Sequence, residues 1–506
     1  MTSSRHARTL PGRSPTMPPS ARKPPGVLRR AGRVLLAVLL TAATLGGIGA
    51  AGVATAMAQS YAGAGEDMPA APPAPKAIPK GKITVAVVVS NAGSVTADVL
   101  APYEVFSRSE RFVVYTVAAR RVPAPLSGGL RLLPDHTLDE VDSGAIPEPD
   151  VVVVPAVVDP AGAAEAPLRA WITARARHGA RVLGVCAGSA LLAATGVLDG
   201  HRATSFWANI DGLRADYPRV HWLRGERYVE DGEITTTAGI TSGTVGALRL
   251  VERLAGAAEA GRIGAELRYP GWRLDGPTAI TANRLVPSDL PYALNAAFPW
   301  LRPTVGVGLS DGVGEIDVAA AFEVYSGVSF SARAIPVGAK ETVTTRHGVV
   351  LVTEPAGEAV PALDRLLIPG TDAAGVAGGT PRAGEAGGAA GPGTGTGGPV
   401  DPVLARWASG RGLVPETPGG GRRAAEFGFD PVLRDLARHA DRATARITAK
   451  FSEYPIDGLR LEGPVWPWRS TILLAAALAA SVFVGLTPTL VRRVRSSRAR
   501  DRRAAG

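Results

Sequence analysis

The chain has 506 residues, 46% of them hydrophobic, a formal net charge of +10 and one cysteine. That length exceeds one ordinary core and predicts two or three domains, and a single cysteine excludes an intrachain disulfide. The positive charge does not point to nucleic acid. Residues 1–33 carry eight Lys/Arg and no acid, and residues 492–506 carry seven Arg against one Asp, so the tails hold +14 and the chain between them −4.

After the basic leader (1–33), Val34 to Ala58 runs 25 residues without a charge. That is long enough to cross a bilayer as a helix. Two readings stand: an uncleaved anchor, favoured by the long basic leader, and a signal peptide cut after Ala56-Met57-Ala58. Residues 59–80 read as a Pro/Ala tether. Ile83–Val89 predicts a strand, and a helix opens near Asp98 and runs on through Glu104 and Phe106. Phe112–Ala118 and Asp150–Val154 predict further strands, the latter apolar on both faces. Continuous valine runs alternating with helical patterns predict a parallel sheet covered on both sides. The helix Ala166–His178, the strand 181–185, and Ile234–Gly239 with a helix through Leu248–Leu254 complete a first domain, 81–260.

Beyond a connector (261–302) the chain repeats itself. Asp98-Val-Leu-Ala-Pro-Tyr-Glu-Val-Phe106 matches Asp317-Val-Ala-Ala-Ala-Phe-Glu-Val-Tyr325, an offset of 219. Asp150–Pro155 matches Asp364–Pro369, and Arg268-Tyr-Pro is echoed by Glu453-Tyr-Pro. Three matches in one order predict a second, degenerate copy over 303–464. Its segment 371–400 holds eleven glycines in thirty and reads as a flexible insertion. Trp466 and Trp468 then precede a second uncharged run, Thr471–Val491, before the Arg-rich tail (492–506). Arg-rich flanks stay in the cytoplasm, which predicts a cell-membrane protein with both termini inside and the domains outside.

The chemistry centres on Gly184-Val-Cys186-Ala-Gly188, a strand running into a small-residue helix start. This pattern predicts a nucleophile elbow, with the thiol in a solvent-reachable cavity and the helix dipole favouring its thiolate. Asp98 has two readings, the acid/base partner of the thiol and a helix N-cap. The second is supported by Asp317 persisting in a copy without cysteine. Glu104 and its repeat Glu323 read as structural or interface residues, and His201 as a solvated turn histidine. His136, His178 and His221 lack metal-ligand spacing, and the glycine-rich stretch lacks a P-loop lysine. No metal or cofactor is expected.

Val185-Cys-Ala-Gly-Ser189, Leu198-Asp-Gly-His-Arg-Ala-Thr204, Val229-Glu-Asp-Gly232 and Thr237-Ala-Gly-Ile-Thr-Ser-Gly243 resemble the DJ-1/PfpI (class I glutamine amidotransferase-like) superfamily. The resemblance is nearest to isonitrile hydratases and to the sensor domains of AraC-type regulators. It implies an α/β, flavodoxin-like doubly wound sheet, with Cys186 and Asp98 as catalytic residues and Ala187, Ala156, Gly239 and Ser242 lining an oxyanion site or pocket. Three positions depart from the family pattern. Ala187 follows the cysteine, Ser205-Phe206-Trp207 replaces Thr-His-Trp, and Ala156-Val157 replaces Gly-Gly. These losses favour a sensor or small-ligand-binding module over a cysteine-dependent hydratase, amidase or lyase. A scaffold with a vestigial site is the third reading. The expected partners are the bilayer and a small molecule, not nucleic acid. The two copies are expected to form an intrachain pseudo-dimer or the chain a homodimer.

Overall fold

Three valine-rich runs build the centre of the structure, a computed structural model describing residues 25–61, 67–370, 400–420 and 426–504. The leader residues 1–24 and residues 371–399 of the glycine-rich insertion lie outside the described residues. The chain divides into two units, 1–48 with 475–506, and 49–474.

The first unit comprises the outer parts of α1 (Pro25–Ser60) and α14 (Trp468–Ala504). Arg30–Ser60 and Trp468–Pro488 are long and apolar enough to cross a membrane. Val34, Leu35, Val38, Ile472 and Phe483 leave their side chains exposed. Thr41 Oγ1 donates to the Ser481 carbonyl at 3.3 Å.

In the second unit, β1 (Ile83–Val88), β2 (Phe112–Ala118), β6 (Val151–Val154) and β7 (Arg181–Gly184) pair in parallel. With β5 (His136–Thr137), β10 (Tyr228–Asp231) and β11 (Ile234–Thr237) they form a seven-stranded sheet. Its order is β10-β11-β7-β6-β1-β2-β5, and only β10 runs antiparallel. Alternate valines face opposite layers, as strand geometry requires. Val85, Val87, Val151 and Val153 pack towards α2 (Thr96–Ser107), α7 (Ser242–Ala255) and α8 (Ala257–Leu267). Val88, Val152 and Val154 pack towards α3 (Leu138–Asp142), α4 (Ala166–Arg177) and α5 (Gly188–Thr195). Helix α8 buries Ala260, Ile263 and Leu267 in the same core as α7.

A second sheet has β12 (Thr304–Leu309), β13 (Arg333–Gly338), β16 (Glu354–Pro355), β17 (Arg365–Leu367) and β18 (Pro415–Glu416), all parallel. Its order, β16-β13-β12-β17-β18, follows β5-β2-β1-β6-β7 strand for strand. The two halves also share a sheet that periodicity did not reveal. Hairpin β3 (Ala124–Leu126)–β4 (Leu130–Leu133) joins hairpin β14 (Thr342–Thr344)–β15 (Val350–Val352) through an antiparallel β4–β15 pairing.

Helix α2 is buried from Thr96 to Phe106 because α10 (Glu315–Phe322) packs on its outer face. Two carboxylates tie the helices reciprocally. Glu104 Oε2 accepts the Ile316 N–H at 2.7 Å, and Glu323 Oε1 accepts the Ala97 N–H at 3.3 Å. Ala97 and Ile316 are themselves one repeat offset apart. Burial pushes Glu104 up, but Arg108 at 2.6 Å, His347 and the Ile316 N–H carry its pKa down to about 2.

The described part of the tether is strapped down rather than loose. Lys76 Nζ donates to the Tyr103 hydroxyl and to the His347 carbonyl, each at 2.8 Å, and the Ala70 N–H donates to Glu341 at 2.7 Å. Residues 67–76 thereby touch both halves.

Candidate functional site

Strand β7 ends against the start of α5, and Cys186 between them takes a left-handed φ of 55°. A side chain other than glycine pays about 1 kcal/mol or more for that conformation, so surrounding contacts must hold it. Ser189 Oγ and Ser205 Oγ both donate to the Cys186 carbonyl, at 2.9 and 3.2 Å, and the Cys186 N–H donates to Thr237 Oγ1 at 3.3 Å. Gly188 is required next to it. A Cβ there would lie 2.1 Å from the Val154 carbonyl oxygen.

The Ala187 N–H donates to the Cys186 sulfur, as an elbow demands. The expected thiolate is nevertheless overturned. Cys186 is only 5% exposed, and burial, followed by the neighbouring Asp98, pushes its thiol well above its ordinary value. A helix dipole contributes about 1 kcal/mol at its first turn, less than burial of a charge costs. The solvent-reachable cavity expected beside Asp98 is likewise replaced by packed side chains.

Asp98 is fully buried on α2, and burial holds its carboxyl well above the usual carboxylate range. It is the third residue of the helix, and Val95 occupies the N-cap, so the N-cap reading is incorrect. Its Oδ2 accepts the Ala156 N–H at 3.0 Å, while Oδ1 has no hydrogen-bond partner among the described residues. Two of the four residues expected to line an oxyanion site or pocket, Ala156 and Gly239, have their N–H groups engaged. Ala156 N–H serves Asp98, and Gly239 N–H donates to the Glu453 carboxylate. Ser242 Oγ opens α7, fully buried, and also lacks a partner among the described residues.

Several residues that close the site come from distant segments. Glu453 follows α13 (Arg442–Phe451) and takes a φ of 50°, as Arg268 does at 60° in the echoed position. Phe451 stacks on Tyr292 at 4.1 Å and meets Trp207 at 5.0 Å and Phe206 at 5.9 Å. Tyr61, directly after α1, is in electrostatic reach of Glu323, Asp98 and Cys186. Its ring fills the space that a Cβ on Gly93 would take, 2.7 Å away. Burial raises both Glu323 and Glu453 to about 7. Cys186 thus lies among three carboxyls that burial favours in the neutral form.

In the second half, β17–β18 register places Gly419 where Cys186 stands in the first. Gly419 has a φ of 59°, so the elbow backbone persists without a nucleophile. His201 lies 3.6 Å from Asp231 and is 38% exposed, apart from the site. Among the described residues, no three His, Cys, Asp or Glu side chains converge as a metal site.

The model of the DJ-1/PfpI family matches residues 84–253. An isonitrile hydratase from Pseudomonas putida is 35% identical over 179 residues, which cover 34% of this chain and 72% of the hydratase. The HTH-type transcriptional regulator CdhR from Pseudomonas aeruginosa is 31% identical over 128 residues, covering 25% of this chain and 36% of the regulator. Among solved structures, a ThiJ/PfpI family protein from Pseudomonas syringae is 27% identical with a TM-score of 0.34, covering 39% of this chain and 81% of that one. Drosophila melanogaster DJ-1beta is 20% identical with a TM-score of 0.32, covering 36% and 96%.

Proposed function

The chain belongs to the DJ-1/PfpI family, and from that premise we propose that it is a membrane-anchored sensor. Its first half holds a closed cysteine pocket for a small ligand or oxidant. Its second half is a duplicate that lost the nucleophile at Gly419 and serves as a built-in dimer partner. The Arg-rich flanks of both apolar helices support cytoplasmic termini and an outer position for the domains between them.

One observation carries this reading: the residue that leaves α1, Tyr61, is packed into the neighbourhood of Cys186. A ligand or oxidant that approached the sulfur from this side would displace that ring, which is joined directly to an anchor helix. Occupancy of the pocket thereby becomes a displacement of the end of α1. A resting enzyme is less well supported, because the thiol is neutral and both backbone donors beside it are engaged.

Thiol labelling of the full chain in detergent micelles tests the reading. Cys186 should react slowly with an aromatic disulfide reagent, and Tyr61→Ala should speed the reaction by about tenfold or more without lowering the thermal midpoint. Wild-type labelling at the rate of a free thiol would refute the closed pocket. The second reading, a hydratase, draws on the unpartnered Asp98 Oδ1 beside the sulfur and on the similarity to isonitrile hydratase. Hydration of an alkyl isonitrile by wild type, abolished in Cys186→Ser, would establish it instead.

A further inference from the structure

At the N-terminal edge of the second sheet, on the opposite edge from the elbow, a cavity of about 340 Å³ opens beside the first turn of α14. Arg365, His439, Asp441, Trp466, Trp468 and Arg469 are among its lining residues. Its charges do not cancel. Arg365 and His439 both pair with Asp435, at 2.9 and 3.3 Å, and Arg365 also pairs with Glu416 at 2.6 Å. Asp441 spends its carboxylate on the start of α13, accepting from the Thr444 N–H and hydroxyl at 2.7 Å each.

Arg469 shares the cavity with Asp441, which is in electrostatic reach of it but already accepts two hydrogen bonds from Thr444. The Arg469 guanidinium reaches the Ser331 carbonyl at 3.2 Å and Ser470 Oγ at 3.4 Å, and among the described residues no carboxylate lies within ion-pair distance. Arg302, behind it, likewise reaches only carbonyl-type oxygens, those of Phe330 at 3.3 Å and of the Gln59 side chain. Burial, Arg469 and Arg333 together lower Arg302 to about 10. Arg469 thus stands without an ion pair at the wall of a largely apolar cavity, flanked by two tryptophans, of which Trp468 is 63% exposed. Guanidinium groups in such a setting are fitted to phosphate, and tryptophans at the head of an apolar helix suit the headgroup level of a bilayer.

We propose that this cavity binds the headgroup of an anionic phospholipid, with Arg469 on the phosphate and Trp466 and Trp468 against the glycerol and first acyl carbons. The assignment rests on the membrane reading of α14. A free phosphate anion shares the headgroup's chemistry and is the competing source.

The test uses the full chain in detergent micelles with short-chain phosphatidylglycerol, short-chain phosphatidylcholine and inorganic phosphate as probes. Phosphatidylglycerol should bind about tenfold more tightly than phosphatidylcholine. Arg469→Gln should erase that preference, while Arg469→Lys should keep most of it, separating lost charge from lost fold. Equal binding of the two lipids, or a preference untouched by Arg469→Gln, overturns the proposal. Displacement of phosphatidylglycerol by inorganic phosphate at matching concentration overturns it in favour of a free anion. Alkaline carbonate extraction of native membranes separates the two failures. Release of the chain removes the anchored reading and the lipid assignment with it, whereas retention with equal lipid binding removes only the latter.

Discussion

Glu453 offers a sharp test of how the surroundings of Cys186 are held together. Its carboxyl is buried against the Gly239 N–H, and burial raises its pKa from 4.5 to about 7 despite Arg227 and Arg224. A carboxyl whose folded pKa exceeds its unfolded value keeps a proton in the folded state that the unfolded chain releases. The stability it contributes is complete below about pH 4.5 and is lost as pH rises to about 7. A rise of that size corresponds to about 3 kcal/mol. Glu453→Gln keeps an acceptor for the Gly239 N–H and mimics the protonated acid. The variant should lie within about 1 kcal/mol of wild type at pH 5 and exceed it by about 3 kcal/mol at pH 8. Urea denaturation of the full chain in micelles, followed by tryptophan fluorescence, reads this directly, since Trp207 sits 5.0 Å from Phe451 beside the site. Glu323 titrates alike in both proteins and cancels in the difference. Equal destabilisation at both pH values would refute the reasoning, because it would mean that the carboxylate is ionised and paired with the nearby arginines.

Three further substitutions probe the framework around Cys186. Gly188→Ala forces a Cβ to within 2.1 Å of the Val154 carbonyl and should destabilise by about 3 kcal/mol, seen as a lowered thermal midpoint; an unchanged midpoint would contradict the packing of the elbow. Glu104→Ala strands the Ile316 N–H and leaves Arg108 with Glu266 as its one remaining carboxylate among the described residues, and should cost about 3 kcal/mol in the same urea titration at pH 6. Glu323→Gln at that pH should not destabilise and should gain about 2 kcal/mol, because folded Glu323 keeps a proton that the unfolded chain releases. Equal losses from the two would break the contrast between an ionised and a neutral member of the reciprocal pair.

Periodicity carried the parallel sheet. Runs such as Val151–Val154, apolar on both faces, have no solvent side, and helices on each layer follow. The elbow was equally legible, since Gly184-Val-Cys186-Ala-Gly188 leaves room for only one backbone course past Val154. The state of the thiol was not. Its field is set by Asp98, Glu323 and Glu453, two of them more than a hundred residues distant in sequence, and local pattern weighs only the helix dipole. Glu453 had a faint signal, the departure of Glu from Arg in the echoed Tyr-Pro motif. Tyr61 had only its place directly after an apolar run. The shared sheet made by β4 and β15 was hidden because short strands such as Val350–Val352 carry too few residues to show alternation.

The reciprocal carboxylates show what two similar halves joined in one chain can do that a symmetric dimer cannot. In a symmetric dimer, an acid placed at one copy of an interface position is present at both, and each pocket receives the same lid. Joining the copies frees each position to differ. Position 186 keeps its cysteine while the matching Gly419 keeps only the left-handed backbone, and Arg268 remains basic where Glu453 became the acid that caps Gly239. The second half can then be shaped entirely as a cover for the first, contributing Glu323 and Glu453 without having to host a pocket itself. A cover of this kind can carry a load that a free subunit cannot, because it cannot dissociate. Whatever displaces it must move α1, through Tyr61, or the chain entering α14, through the Glu453–Trp468 segment that leaves α13.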